Sequence, residues 1–282
     1  MELKFVVDVE NIKIKDFLKL KGCSRNMRKS VRVKDNLFVN GEKVKNYYEL
    51  SVGDILVIKL EEQLNVNFLP NETKLDILYE DEYLLIVNKI AGVSSQPSRK
   101  HPFDNLISMV TNYYIQKGIE ANVHVVNRLD YLTTGIVIIA KAGFIHYEMS
   151  KEILDKKYLC VVNGYLEQKE GTIDLPIRRI IPNDIRRGIF SDGQKAITNY
   201  KVIKEANNKS LLEVCLQTGR THQIRVHFSH LGHPLVGENL YSDESGKLML
   251  HCYLMRFKHP ISKEVMEIKN YPDWEEVKCL MS

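Results

Sequence analysis

Residues 124–141 read HVVNRLDYLTTGIVIIAK, and the fold turns on this stretch. Positions 135–140 form an apolar run of strand length, rich in β-branched residues. Just upstream, Asn127, Arg128 and Asp130 interrupt the apolar pattern, and Thr133-Thr134-Gly135 follows as a turn. Polar groups at the mouth of a buried strand mark either a structural ion pair or a working site.

Working outward, the same alternation and turn signals predict strands at 76–79, 84–88, 159–162, 211–216 and 248–253, with helices at 105–117 and 143–154. Strands joined by short turns, without steady strand–helix alternation, imply an α+β fold with a large mixed, mainly antiparallel sheet flanked by helices and loops. Positions 217–237, QTGRTHQIRVHFSHLGHPLVG, read as a dense polar loop after the fourth of these strands.

Upstream of this region, positions 61–74 lose periodicity and carry Asn65, Asn67, Pro70 and Asn71. They suit a connection, and the expected division is a small domain at 1–62, a linker at 63–74 and a larger domain at 75–282. The small domain is basic. Between Asn11 and Lys34 stand nine Lys and Arg residues, among them Lys19, Lys21, Arg25, Arg28, Lys29 and Arg32, against the single acid Asp16. Apolar Ile12, Ile14, Phe17, Leu18 and Leu20 are interleaved, so the block folds, and its charge suits a polyanion. NLFVNG at 36–41 closes on a hairpin turn and LSVGDILVIKL at 50–60 adds a strand, giving helix, helix, then a small sheet.

The whole chain of 282 residues is 44% hydrophobic and 27% charged, with a net charge of +4, an ordinary globular composition. The charge-free apolar run 131–140 is about half a bilayer-crossing helix. With acids inside the first ten residues and no apolar signal region, the expectation is a cytoplasmic protein without a membrane partner. The five cysteines are odd in number and lack a CxxC pair, which favours free thiols in a reducing compartment over a disulfide framework.

No G-x-S-x-G, H-E-x-x-H or G-x-G-x-x-G occurs, which removes most nucleotide-hydrolysis and dinucleotide chemistry. His222, His227, His230 and His233 have a spacing that invites zinc. Arg220 and Arg225 lie among them and no acid appears before Glu238, so cations would crowd the metal. No metal is expected, and the histidines read as hydrogen-bonding or RNA-contacting groups.

Two resemblances emerge. Phe17-Leu18, Ser24-Arg25, Val39-Asn40-Gly41 and Val52-Gly53-Asp54 resemble the small αL RNA-binding domain of a ribosomal small-subunit protein and of bacterial tyrosyl-tRNA synthetases. Arg128-Leu129-Asp130 with Thr133-Thr134-Gly135 and a strand ending Ala140-Lys141 resembles the active-site signature of the RluA family of pseudouridine synthases. Supporting segments are Leu78-Tyr79-Glu80-Asp81, Asn88-Lys89, Lys157-Tyr158, Thr218-Gly219-Arg220-Thr221-His222-Gln223-Ile224-Arg225, Gly232-His233-Pro234 and His259-Pro260. The chain departs from the family at Asn127, where His is usual, at Tyr131-Leu132, where a charged pair is usual, and at Ile90, where Pro is usual.

This second resemblance implies isomerisation of uridine to pseudouridine in structured RNA, large-subunit rRNA first and tRNA second, by a monomer needing no cofactor. It assigns Asp130 as the carboxylate acting on the sugar, Arg220 as its partner and Tyr158 as the group beside the uracil. Arg128 would fill the space left by an extruded base, with Lys89, His222 and Arg225 as further RNA contacts. The alternatives are a silent ribosome-assembly factor, which would tolerate loss of Asp130 or Arg220, and a nucleoside hydrolase, which would have no use for a basic N-terminal block.

Overall fold

The computed structural model describes residues 2–23, 25, 28–29, 36–59 and 70–275. The chain starts with β1 (Glu2–Val6), β2 (Ile12–Lys13) and α1 (Ile14–Leu20), followed by β3 (Leu37–Val39), β4 (Glu42–Lys43), β5 (Glu49–Leu50) and β6 (Ile55–Lys59). A four-stranded sheet in the order β1-β6-β3-β4 results, and β2 pairs with β5. The expected order of helix, helix, sheet is therefore corrected. LKFV in β1 pairs antiparallel with β6 before any helix begins, because Leu3 and Ile58 bury completely opposite each other. Phe17 and Leu18 of α1 point into the same core.

Downstream come β7 (Asp76–Glu80), β8 (Leu84–Lys89), α2 (Leu106–Lys117), β9 (His124–Val125), β10 (Thr134–Ala140), α3 (Gly143–Glu152) and β11 (Ile153–Asn163). After them lie β12 (Glu170–Asp174), β13 (Ile177–Arg179), β14 (Arg187–Ile189), β15 (Ile197–Ala206), β16 (Lys209–Leu216), α4 (Gln223–His230), β17 (Leu250–Lys258) and β18 (Val265–Lys269). Ten strands form one mixed sheet, its spine ordered β12-β15-β16-β11-β17-β10-β8-β7, with β18 on β17 and β9 on β10. The pairings are antiparallel except that of β10 with β17. The class is α+β. β8 and β10 are buried along almost their whole length, which is why their sequences run continuously apolar instead of alternating.

Local chemistry sets the boundaries. Asn105, expected inside the second helix, is its N-cap, and its side-chain oxygen accepts from Ser108 N at 3.0 Å. Gly118 ends that helix in the left-handed conformation. The helix expected to reach 154 stops at Glu152, since Ile153 already pairs with Phe257 across β11 and β17. The segment read as a polar loop at 217–237 contains α4, whose N-cap His222 is itself left-handed. The strands the sequence did not announce, β12, β15 and β18 among them, leave one face largely exposed and are rich in polar residues.

Within the sheet, the single parallel contact is the tightest point. Gly135 faces Cys252 with φ +113, and a Cβ there would lie 2.3 Å from the Cys252 carbonyl oxygen. One residue earlier, the Thr134 hydroxyl meets His251 Nδ1 at 2.7 Å, while the other ring nitrogen meets Asn270 O at 3.0 Å. Burial draws the His251 imidazole down to about 4, so the folded chain keeps it neutral.

Two consequences can be measured by denaturant unfolding. Gly135→Ala should cost about 2 kcal/mol or more, through strain at positive φ and the backbone clash; loss below about 0.5 kcal/mol would show that β10 and β17 can move apart. Because the folded pKa of His251 lies below its ordinary value of 6.5, unfolding takes up a proton between pH 6.5 and about 4. Stability should fall as pH drops through that window, and His251→Gln should flatten the slope.

Candidate active site

The carboxylate of Asp130 lies on a turn between β9 and β10, where Thr133 N donates to Asp130 O at 3.1 Å. That turn is clamped from outside. Ser95 Oγ donates to Leu129 O at 2.7 Å and accepts from Leu129 N at 2.9 Å, so one hydroxyl pins the residue before the acid. On the other side Gly92 N donates to Tyr131 O at 2.9 Å. Asn127 ties the approach to β10, donating to Ile136 O at 3.0 Å and accepting from Ile138 N at 2.8 Å. Its amide thus continues the strand ladder where β9 has already ended. No sequence pattern singled out Ser95; its partners are two backbone atoms 34 residues away.

Asp130 faces a cavity of about 650 Å³. Among the described residues it is the one carboxylate lining that space, while Arg128, Lys156, Arg179, Arg187, Arg220 and Arg225 all line it. Tyr158, on β11, forms part of the wall and is buried. The pairing of β11 with β17 slips between Lys157 and Tyr158, skipping Tyr253, which sets the direction of the Tyr158 ring. Burial pushes its phenol up to about 12, against the pull of neighbouring Lys156. The Lys156 ammonium stands 5.4 Å from that ring's centre.

The far wall is the loop leading into α4. Gln223 knots it: its side-chain oxygen accepts from Thr218 Oγ1 and Arg220 N, and its nitrogen donates to Ile197 O and Thr198 Oγ1. His222 then presents Nδ1 to Tyr241 Oη at 2.6 Å. Arg225 is buried and bidentate on Glu238, at 2.6 and 2.7 Å. Burial would lift the Glu238 carboxyl, but the guanidinium and the backbone N–H groups of Leu240 and Tyr241 hold it below its ordinary value.

Several assignments change. Arg220, expected as the partner of Asp130, stands exposed at the cavity mouth with Nε on Lys195 O at 3.0 Å. The buried guanidinium that feels the Asp130 charge is that of Arg225. Arg225 and Lys89 were expected to touch RNA, yet both side chains are enclosed. Lys89 is 1% exposed and donates to the carbonyls of Val93, Ile90 and Tyr131, at 2.7, 3.0 and 3.4 Å. Burial brings its ammonium down to about 7 despite nearby Asp130. Lys89 is a strut beneath the turn.

Arg128 is exposed and lines the cavity, as a base-displacing residue would have to. In the N-terminal block Lys19, Arg25 and Lys29 are exposed and Arg28 half-buried. Lys21 is tied to Asp8 at 2.7 Å, and Arg32 lies outside the described residues. The histidine series disperses: His227 bridges Thr198 and Leu175 O, while His233 meets Asn163 O. Among the described residues no three His, Cys, Asp or Glu gather in a metal-binding group.

With this geometry in place, comparison with known proteins is direct. The family model described as RNA pseudouridylate synthase matches residues 83–230. The chain belongs to the RNA pseudouridine synthase family. It is 42% identical over 239 residues to the uncharacterized RNA pseudouridine synthase YjbO of Bacillus subtilis, covering 82% of this chain and 84% of that protein. It is 30% identical over 267 residues to the ribosomal large subunit pseudouridine synthase D of Yersinia pestis, covering 86% and 82%. Human RNA pseudouridylate synthase domain containing 1 shares the fold, with TM-score 0.59 at 24% identity over 72% of this chain and 85% of its own. As a pseudouridine synthase the protein is an isomerase acting on RNA.

The buried pair offers a test. Glu238→Gln should cost about 3 kcal/mol in stability, because Arg225 is left buried without its carboxylate. Since the folded pKa of Glu238 is depressed, its contribution is present at neutral pH and is lost as pH falls below the ordinary 4.5. The variant's acid unfolding limb should therefore be shallower than wild type; an unchanged limb would show that the pair contributes nothing.

Proposed function

We propose that this synthase isomerises a uridine in structured RNA, large-subunit rRNA first, with Asp130 as its catalytic carboxylate. The observation that carries the reading is that, among the described residues, Asp130 is the single acid in a cavity lined by six cationic side chains. A polyanionic substrate suits those cations, and one carboxylate is what a glycosidic rearrangement without hydrolysis needs.

In this reading the uridine leaves its stack and Arg128 occupies the space behind it. Asp130 acts on the sugar, either at the anomeric carbon or at the neighbouring proton, and the bond to nitrogen 1 breaks. The freed uracil turns against the Tyr158 ring, and carbon 5 joins the sugar. The phenol is held protonated by burial, so it serves as a face and a hydrogen-bonding group. Asp130, free again after the new bond forms, can accept the carbon 5 proton. Arg225, paired with Glu238, adds a positive charge to the wall that Asp130 faces; Arg220, His222 and the exposed Lys19, Arg25 and Lys29 meet RNA from the rim and the N-terminal unit. The division into domains at 1–62 and 75–282, a monomeric state and a cytoplasmic site of action complete the proposal. Support for rRNA comes from the likeness to the ribosomal large subunit pseudouridine synthase D of Yersinia pestis and from the basic N-terminal block.

The test is tritium release from large-subunit rRNA and from bulk tRNA, each unmodified and labelled at uridine carbon 5. Wild type should release tritium from the rRNA. Asp130→Asn should lose on the order of 10³-fold or more while RNA binding persists. Turnover by that variant at the wild-type rate would sink the assignment of Asp130, and release from tRNA alone would redirect the substrate. Arg128→Ala should lose more on folded than on unstructured RNA, since only the first requires extrusion of a stacked base.

A further inference from the structure

The hairpin formed by β13 and β14, IRRIIPNDIRRGI at 177–189, carries Arg178, Arg179, Arg186 and Arg187. Two of these are neutralised locally. Arg178 Nε donates to Asp192 at 2.6 Å and its guanidinium lies 3.6 Å from the Phe190 ring centre, while Arg186 Nη2 donates to Asp184 at 2.8 Å. The other two face each other. Arg179 and Arg187 are direct cross-strand partners, both line the cavity that holds Asp130, and neither has a carboxylate within ion-pair distance among the described residues. Arg179 is tied to the backbone carbonyl of Asp184, and no hydrogen bond from the Arg187 side chain occurs among the described residues. Their mutual repulsion lowers the pKa of Arg187, second only to burial.

Like charges opposed across a hairpin destabilise it unless something neutralises them. The hairpin is nevertheless held in place: Arg187 N donates to Tyr241 Oη at 3.0 Å, the same hydroxyl that meets His222 Nδ1. The pair is therefore fixed against the cavity wall instead of swinging into solvent. From this geometry we infer that Arg179 and Arg187 together seat a phosphodiester flanking the nucleotide held at Asp130. This rests on the reading of the protein as an RNA-modifying enzyme with Asp130 at its centre. A guanidinium presents paired N–H donors that match phosphate oxygens, and two opposed guanidiniums enclose one phosphate from both sides. Such a seat holds the strand over the cavity by its backbone, whatever the neighbouring base.

The probe is a transcript of unmodified large-subunit rRNA, with binding measured across about 50 to 200 mM salt. Arg179→Gln and Arg187→Gln, singly or together, should reduce the slope of log affinity against log salt by up to about 0.7 to 1, the one phosphate that the pair shares. Arg178→Gln and Arg186→Gln, whose charges are already paired, should leave the slope unchanged. In tritium release the first two variants should raise KM about 10-fold while kcat stays within about twofold, as expected when binding alone is lost. Unfolding midpoints of all four variants separate lost binding from lost folding. An unchanged slope for Arg179→Gln and Arg187→Gln, or an equal drop in all four, overturns the phosphate seat. Were wild type to release no tritium from rRNA or tRNA while the selective slope change held, the seat would stand and the enzymatic reading of Asp130 would fall.

Discussion

Everything at the centre of this protein depends on a short turn that cannot hold itself. Residues 129–133 lead into β10 with one hydrogen bond within the turn among the described residues, from Thr133 N to Asp130 O. Ser95 fixes Leu129 through both its backbone groups, and Gly92 and Lys89 fix the carbonyl of Tyr131. Asp130 itself is left with its side chain toward the cavity. The donors come from β8 and the loop after it, so the position of the acid is set by the packing of β8 against β10. A carboxylate that must meet a sugar carbon within a fraction of an ångström gains from a scaffold of backbone bonds, which have fewer soft torsions than side-chain contacts.

Around that turn, the charges are graded by burial. Lys89 lies sealed below with its ammonium brought down to about 7. Arg225 lies inside the wall, compensated by Glu238. Lys156 lies near the Tyr158 ring and lines the same cavity, and Arg128, Arg179, Arg187 and Arg220 line it too. The enclosed cations are held by protein partners inside the wall, and the outer ones face the direction from which a polyanion arrives. Removing an enclosed one leaves an unbalanced buried group, whereas removing an outer one changes affinity.

Sequence patterns expose the parts of this design that obey local rules. The continuous apolar runs of β8 and β10, the Asn105 cap with Gly118, and the Arg128-Asp130 interruption were legible because each is decided within a few residues. What escaped is decided at long range. β12, β15 and β18 are polar on one face and owe their existence to neighbours in the sheet. Helix α4 hides behind a left-handed His222 and a run of polar residues that are nonetheless buried, Gln223, Arg225 and His227 among them. The choice of Arg220 over Arg225 failed for the same reason. The two are five residues apart in one motif, and their difference lies in which reaches Glu238, a residue beyond the helix.

The departures from the family pattern surround Asp130 without touching its chemistry, and the structure shows how each is accommodated. Asn127 satisfies both ends of its amide on the β10 backbone, so it takes over a ladder position and needs no ring. Tyr131 stacks its ring on His101 at 4.2 Å between ring centres, with His101 in turn on Asp104 at 2.7 Å. Ile90 leaves its side chain exposed and contributes its carbonyl oxygen to Lys89, a contact that proline would also offer. At Tyr131 and Ile90 the contact that positions the turn is made by the backbone carbonyl, so the side chain is free to differ, whereas at Asn127 the side-chain amide itself holds the main chain. The constraint that selection must keep is therefore the path of the main chain through residues 127–135, together with the one carboxylate that projects from it.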